Sequence, residues 1–298
     1  MAVVAAVVAV VAVATEAPCG VGLTFRPQWA AQLERTPRTV DFLEITADHY
    51  LGAPRAKMAE LERLAGTFTL VPHALELSLG SACGLDAFYL AALAQLIRRI
   101  KAPVVSEHLA FCRTPERTLP HFAPVPWNEA ALAVLCANIA RAQEVLAVPL
   151  LLENIAWSLI MPGAEMDEAQ FLSCLVERCG VGLMLDVANL HANAVNFHID
   201  SHAYLRGLPP EAVVQVHIAG GSWSDTWYVD SHDAPVPEPV WALLQEALDL
   251  FPIARIVLER DDHIPPLAEL ANELARARSM WLASKVGIAL HAAYALEP

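Results

Sequence analysis

Eight short apolar runs recur along this chain, and most of them stop at an imidazole, a carboxylate or an amide. They are Gly20–Phe25, Asp41–Thr46, Phe68–Pro72, Pro103–Ser106, Pro149–Leu152, Gly182–Leu185, Val213–Val216 and Ala254–Leu258. Runs this short and this apolar suit strands buried on both faces, the condition of a parallel sheet covered by helices. Helical patterns separate them: Gln28–Arg35, Pro54–Ala65, Leu85–Ile100, Asn128–Leu146, Met166–Arg178, Ser201–Leu208, Pro237–Phe251 and Leu267–Ser284. Leu90, Leu93, Leu96 and Ile97 form one apolar stripe in the third of these. Asn128 reads as a helix N-cap and Gly180 as a C-cap. Eight strands alternating with helices predict an α/β fold, the closed (β/α)8 TIM barrel. A chain of 298 residues, 56% of them hydrophobic, has the length and core for it.

That fold places its chemistry at the C-terminal ends of the strands. Here those ends carry His49, His73, Glu107, Asn154, Asp186, His217 and Glu259. Asn189 and His191 follow the sixth strand, and Asp230 and His232 lie in the loop after the seventh, with Asp225 as a weaker candidate. Burying such groups without partners is costly, so they must be paired, bound to a cation or open to a wet cleft. Imidazole with carboxylate, and no thiolate pattern, is a borderline-to-hard ligand set suited to Fe(II), Mn(II) or Zn(II). The candidates outnumber the needs of one ion, which predicts two or three ions bridged by carboxylates such as Glu107 or Asp186. If strand geometry continues through Glu107, then His108 points the other way and is at most a supporting group. Glu44, inside the second strand, is read as the partner of a basic group in the barrel. Arg113–Pro126 reads as a functional loop or lid.

Other functions are disfavoured. The chain holds 33 acids against 19 Lys and Arg, a formal charge of −14, which opposes nucleic-acid binding. Cys19, Cys83, Cys112, Cys136, Cys174 and Cys179 form no CxxC pair and no disulfide framework, and read as small buried hydrophobes. There is no GxGxxG after a strand, no GxxxxGK[ST], no GxSxG and no HExxH. Gly80-Ser81 and Gly220-Gly221-Ser222 could cradle an anion or be plain turns. Met1–Ala14 is nearly all Ala and Val, without the basic start of a signal peptide and too short to span a membrane. The expected organisation is an apolar extension (residues 1–18), a barrel domain (19–285) and a tail (286–298), in a cytoplasmic protein without a membrane partner.

Seven short motifs in order carry a resemblance: Gly20-Val-Gly-Leu23, Ser106-Glu-His-Leu109, Leu152-Glu-Asn154, Leu185-Asp-Val-Ala-Asn189, Val216-His-Ile-Ala-Gly220, Asp230-Ser-His232 and Leu258-Glu-Arg-Asp-Asp262. From about Gly20 to about Arg278 the chain resembles the multinuclear non-heme iron-dependent oxidases, long known only as a domain of unknown function. The resemblance implies a xylose-isomerase-like TIM barrel with two or three irons of mixed Fe(II)/Fe(III) state at its mouth. It implies O2-dependent modification of a ribosomally made precursor peptide, at cysteine or at Asp or Asn, and a separate partner protein that presents the peptide's leader. It implies iron ligation by His49, His73, Glu107, Asn154, Asp186, Asn189, His217, Asp230, His232 and Glu259, with His191 as an extra member. Asp186, Glu107 and His217 are the expected catalytic members. Asn196-Phe-His-Ile-Asp200 departs from the family's usual order, which leaves His198 without a role. The alternative is a Zn- or Mn-dependent isomerase or phosphodiesterase on a similar barrel, which would need no O2.

Overall fold

The computed structural model describes residues 18–284 and 286–287. The expected apolar extension and tail therefore lie almost wholly outside the described residues.

Eight parallel strands close into a barrel: β1 (Gly20–Thr24), β2 (Phe42–Thr46), β3 (Leu70–Ala74), β4 (Val105–His108), β7 (Leu150–Glu153), β8 (Gly182–Asp186), β9 (Val213–Ile218) and β12 (Arg255–Leu258). Parallel register runs around the ring to β1, which pairs with both β2 and β12. The strands are the eight apolar runs of the sequence, shifted by one or two residues at β3, β4 and β7 so that these three include their polar ends.

The lumen is filled as a solid core. Phe42, Val71, Val104, Leu151, Met184, Val214 and Val257 form one buried cluster, one residue from the region of each strand except β1. β1 contributes Gly22 instead, because a Cβ there would meet the Phe42 ring at 2.5 Å. The helices cover the outer face, and their ends follow local rules. Asp86 accepts from the amides of Phe88 and Tyr89 at the start of Ala87–Ile100, and Asn128 caps Glu129–Leu146. Asp167 and Gln170 form a capping box for Glu168–Cys179, which ends at Gly180 with φ +64.

Two segments that read as loops in the sequence are hairpins over the barrel mouth. β5 (Ala110–Arg113) pairs with β6 (Thr118–Pro124), where a lid is expected. β10 (Gly220–Ser224) pairs with β11 (Trp227–Ala234). Gly220 and Gly221 are thus neither an anion nest nor a turn. They sit where a Cβ would strike the carbonyls of Pro235 and Val229 at 2.1 and 2.2 Å. A further helix, Val187–Phe197, starts directly at the end of β8, so Asn189 and His191 are helical residues. No helix among the described residues is long and apolar enough to cross a membrane.

Candidate metal centre

At the C-terminal mouth, imidazoles and carboxylates fall into three groups that share members: His73, His108 and Glu153; Glu153, Asp186, His217 and Glu259; and His232, Glu259 and Asp261. Glu153 joins the first two. Its Oε2 lies 3.3 Å from His73 Nε2 and 3.4 Å from His108 Nε2, while Oε1 lies 3.3 Å from His217 Nδ1. Glu259 joins the last two, with Oε2 3.2 Å from His217 Nδ1 and 3.3 Å from His232 Nδ1. Asp230 adds an oxygen 2.9 Å from His232 Nε2.

Each group is placed by a local device. His73 is steadied by Ser106 Oγ, 2.9 Å from its Nδ1, leaving Nε2 toward Glu153. Asp186 caps Val187–Phe197 by accepting from the Asn189 amide at 2.7 Å, which sets Asp186 and Asn189 one helical turn apart on the same side. The β10–β11 hairpin is tied down by Asn196, whose amide exchanges hydrogen bonds of 2.8 and 2.9 Å with the Tyr228 backbone. This brings Asp230 and His232 over the barrel. His232 takes φ +49, a left-handed conformation uncommon for a side-chain-bearing residue, and its carbonyl accepts from the Asp261 amide.

The buried carboxylates and imidazoles shift one another strongly. Burial raises the Asp186 carboxyl well above its usual range, and the nearby Asp230 and Glu153 raise it further. Burial also opposes the charge on Glu153, but His108, His217 and His73 outweigh it and bring Glu153 down to about 2. Burial alone would lower His217 and His232; the surrounding carboxylates overcome it and raise both well above the ordinary imidazole value. His108 is lowered to about 4, chiefly by burial.

The residues fit a metal on a separate ground. Glu153 Oε2, Asp186 Oδ2, Asn189 Oδ1, His217 Nδ1, Asp230 Oδ1 and His232 Nε2 are buried and lack a hydrogen bond of acceptable geometry. Such atoms are few in folded proteins and demand an explanation. Four of them, Glu153 Oε2, His217 Nδ1, Asp230 Oδ1 and His232 Nε2, nonetheless lie 2.9–3.4 Å from another nitrogen or oxygen of the site. Two ligands on one ion at bonds of about 2.1 Å stand roughly 3.0–3.4 Å apart, so convergence on shared ions accounts for both facts. The donor set of nitrogen and oxygen without sulfur suits Fe(II), Mn(II) or Zn(II).

Of the residues singled out in the sequence, the structure gathers His73, Asp186, Asn189, His217, Asp230, His232 and Glu259. Four others are placed elsewhere. Both oxygens of Glu107 are taken, by the amides of Leu77 and His108 at 2.8 Å each. Asn154 is engaged at both ends of its amide by the Asp186 backbone, at 2.9 Å each. His49 is exposed in the turn after β2, outside the three groups. His191 packs edge-on against Tyr228, also outside them. Glu153, His108 and Asp261 are unexpected members. The sequence pattern points instead to Asn154 and Glu107, the immediate neighbours of Glu153 and His108.

The groups open into a cavity of about 570 Å³, walled in part by Phe122, Trp157, Trp227 and Tyr228. Trp227 and Val229 stand exposed at its edge, with Trp223 exposed on the same hairpin.

Residues 20–281 match the family described as "RiPP precursor modification enzyme MbnB/TglH/ChrH". Curated relatives carry the name UPF0276 protein. That of Rhizorhabdus wittichii is 41% identical over 266 residues, covering 88% of this chain and 94% of the relative. That of Bordetella pertussis is 40% identical over 264 residues, covering 87% and 91%. Among solved structures, D-psicose 3-epimerase from Clostridium cellulolyticum superposes with a TM-score of 0.56 at 14% identity, over 93% of this chain and 99% of that one. Endonuclease IV from Thermus thermophilus gives 0.55 at 18%, over 88% and 98%. These two likenesses show the fold alone, a xylose-isomerase-like TIM barrel.

Proposed function

The chain belongs to the MbnB/TglH/ChrH family of RiPP precursor modification enzymes, and from that premise we propose that it is a multinuclear iron enzyme that uses O2 to oxidise a Cys, Asp or Asn residue of a ribosomally made precursor peptide. The observation that carries this reading is the pair of carboxylates, Glu153 and Glu259, each shared between two ligand groups on the cavity floor. Shared carboxylates suit adjacent ions, and adjacent ions suit redox chemistry that must spread charge.

His73, His108 and Glu153 would hold one iron, and Glu153, Asp186, His217 and Glu259 a second. His232, Asp230 and Glu259, with Asn189 Oδ1 and Asp261 within the same mouth, would serve a third. Iron bound there supplies one-electron chemistry and open coordination positions for O2 and a substrate atom. The protein's own part is placement and exclusion. Thr24 Oγ1 donates to Glu259 Oε1 at 3.2 Å and leaves Oε2 for the centre. Phe122 stacks on the His108 ring at 4.0 Å and dries that side. Trp157 and Trp227 narrow the approach, and the apolar edge of Trp223, Trp227 and Val229 suits an extended peptide better than a small polar solute. A separate protein presents the peptide's leader, and the reaction takes place in the cytoplasm.

The test is anaerobic purification with iron, metal analysis by mass spectrometry, and co-expression with a candidate precursor peptide. The expected result is a product mass shift that needs both iron and O2. Full activity in metal-free protein would refute the metal reading. Turnover without O2 would favour a metal-dependent isomerase or phosphodiesterase.

A further inference from the structure

Beneath the mouth, four completely buried polar side chains cross the lumen in a line. Arg255 Nε donates to Gln215 Oε1 at 2.8 Å. Gln215 Nε2 donates to Glu44 Oε2 at 2.9 Å, and the same oxygen lies 3.0 Å from His217 Nε2. β2 and β9 are not neighbours in the ring, so Glu44 meets Gln215 and His217 only through the interior.

The donor and acceptor roles along this line are fixed from one end. A guanidinium only donates, so Arg255 turns the Gln215 oxygen toward itself and its NH2 toward Glu44. Glu44 Oε2 accepts from that NH2 and stands at the same time against His217 Nε2, the geometry of a bond donated by Nε2–H. On the far side of the same ring Nδ1 faces Glu153 Oε1 and Glu259 Oε2 at 3.3 and 3.2 Å, so it is this nitrogen that meets the shared carboxylates of the centre. We infer that Arg255, Gln215 and Glu44 form a positioning relay that keeps the Nε2 proton on His217 and so presents bare Nδ1 as a metal ligand.

The inference rests on the metal-centre reading above. It explains a cost that stability alone does not. A buried ion pair bridged by an amide is usually no better than hydrophobic packing of the same volume. Here it specifies which ring nitrogen is free. Carboxylates behind ligating histidines act this way generally, and removing one lowers metal affinity about 10–100-fold. What is particular to this barrel is that the setting originates two residues further back, at Arg255.

The test uses Zn(II) on metal-stripped full-length protein, so it does not depend on O2 chemistry. In Glu44→Leu no acceptor faces His217 Nε2, so nothing holds a proton there, whereas the amide oxygen introduced by Glu44→Gln can stand where Oε2 accepts from Gln215 and faces His217. Zn(II) titration against a chromophoric chelator should show one class of site weakened about 10–100-fold in E44L, with the far-ultraviolet circular dichroism of wild type, and recovered in E44Q. Equal Zn(II) binding by E44L and wild type would overturn the relay. Absence of tight Zn(II) binding by wild type would instead overturn the metal-centre reading. Should E44L not fold, Arg255→Met still decides: it leaves Glu44 and His217 in place but frees the Gln215 amide to turn, so the same class of site should weaken, and wild-type Zn(II) binding by R255M refutes the relay.

Discussion

Glu168 offers a test of the cavity wall that needs neither metal nor peptide. It starts the helix Glu168–Cys179 and is 3% exposed. Its Oε1 accepts from Trp157 Nε1 at 3.0 Å, and Tyr204 OH lies 2.9 Å from Oε2. Burial raises its carboxyl from 4.5 to about 7, against the lowering effect of those two hydrogen bonds. The folded protein therefore holds this proton over a range where the unfolded chain has lost it. Stability is greatest below about pH 4.5 and falls as pH rises through about 7, since the native state binds more protons in that window. A shift of that size at about 1.4 kcal/mol per unit gives a loss of about 3 kcal/mol. With a urea slope of about 3 kcal/mol per M, that is a midpoint shift of roughly 1 M. Glu168→Gln keeps both hydrogen bonds and cannot ionise. It should match wild type near pH 5 and exceed it by up to about 3 kcal/mol at pH 8.5, read by equilibrium urea unfolding followed through tryptophan fluorescence. A variant that unfolds in parallel with wild type at both pH values refutes the argument that Trp157 rests on a protonated acid.

Other consequences follow from single contacts. Glu153→Gln removes the charge shared by two ligand groups, so metal analysis of reconstituted protein should show at least one ion lost and product formation abolished; wild-type metal content would refute its bridging place. Gly22→Ala drives a methyl into the Phe42 ring, and overpacking of this kind costs about 1–3 kcal/mol. Adding Phe42→Leu should recover part of that loss in the same unfolding assay, whereas additive losses would show that the two sites are independent. Cys136 and Cys179 hold their sulfurs 3.0 Å apart between two adjacent helices. Diamide should link them, as shown by peptide mapping, and closing that loop is worth up to about 4 kcal/mol by chain entropy; mapping that finds both thiols reduced would refute the pairing.

The barrel is legible in the sequence because its signal is repetition: eight apolar runs, helical patterns between them, and caps at Asn128 and Gly180 where the structure has them. The two hairpins are not. β5–β6 and β10–β11 are short, polar on one side and rich in Pro or Gly, and that composition describes a loop equally well. The helix at Val187–Phe197 is hidden because its cap, Asp186, reads first as a member of the site. One side chain does both tasks, Oδ1 holding the Asn189 amide and Oδ2 facing the centre.

The choice between neighbours at the strand ends is the more instructive failure. Alternation holds at Glu107-His108, in that the two point to opposite sides, but the residue turned inward is the opposite of the one expected. A strand covered on both faces is apolar on both, so composition gives no parity. Parity comes from register. His73 pairs with Ser106, so Ser106 and His108 share its side, and His108 in turn pairs with Glu153. Glu153 pairs with Met184, two residues before Asp186, and Asp186 pairs with His217. A single inward residue therefore fixes the rest of the ring. Starting from Asp186 alone, this pairing selects Glu153 over Asn154 and His108 over Glu107. The same parity carries Glu44 into the lumen, two residues beyond Phe42, and so puts a carboxylate where it reaches His217 from behind.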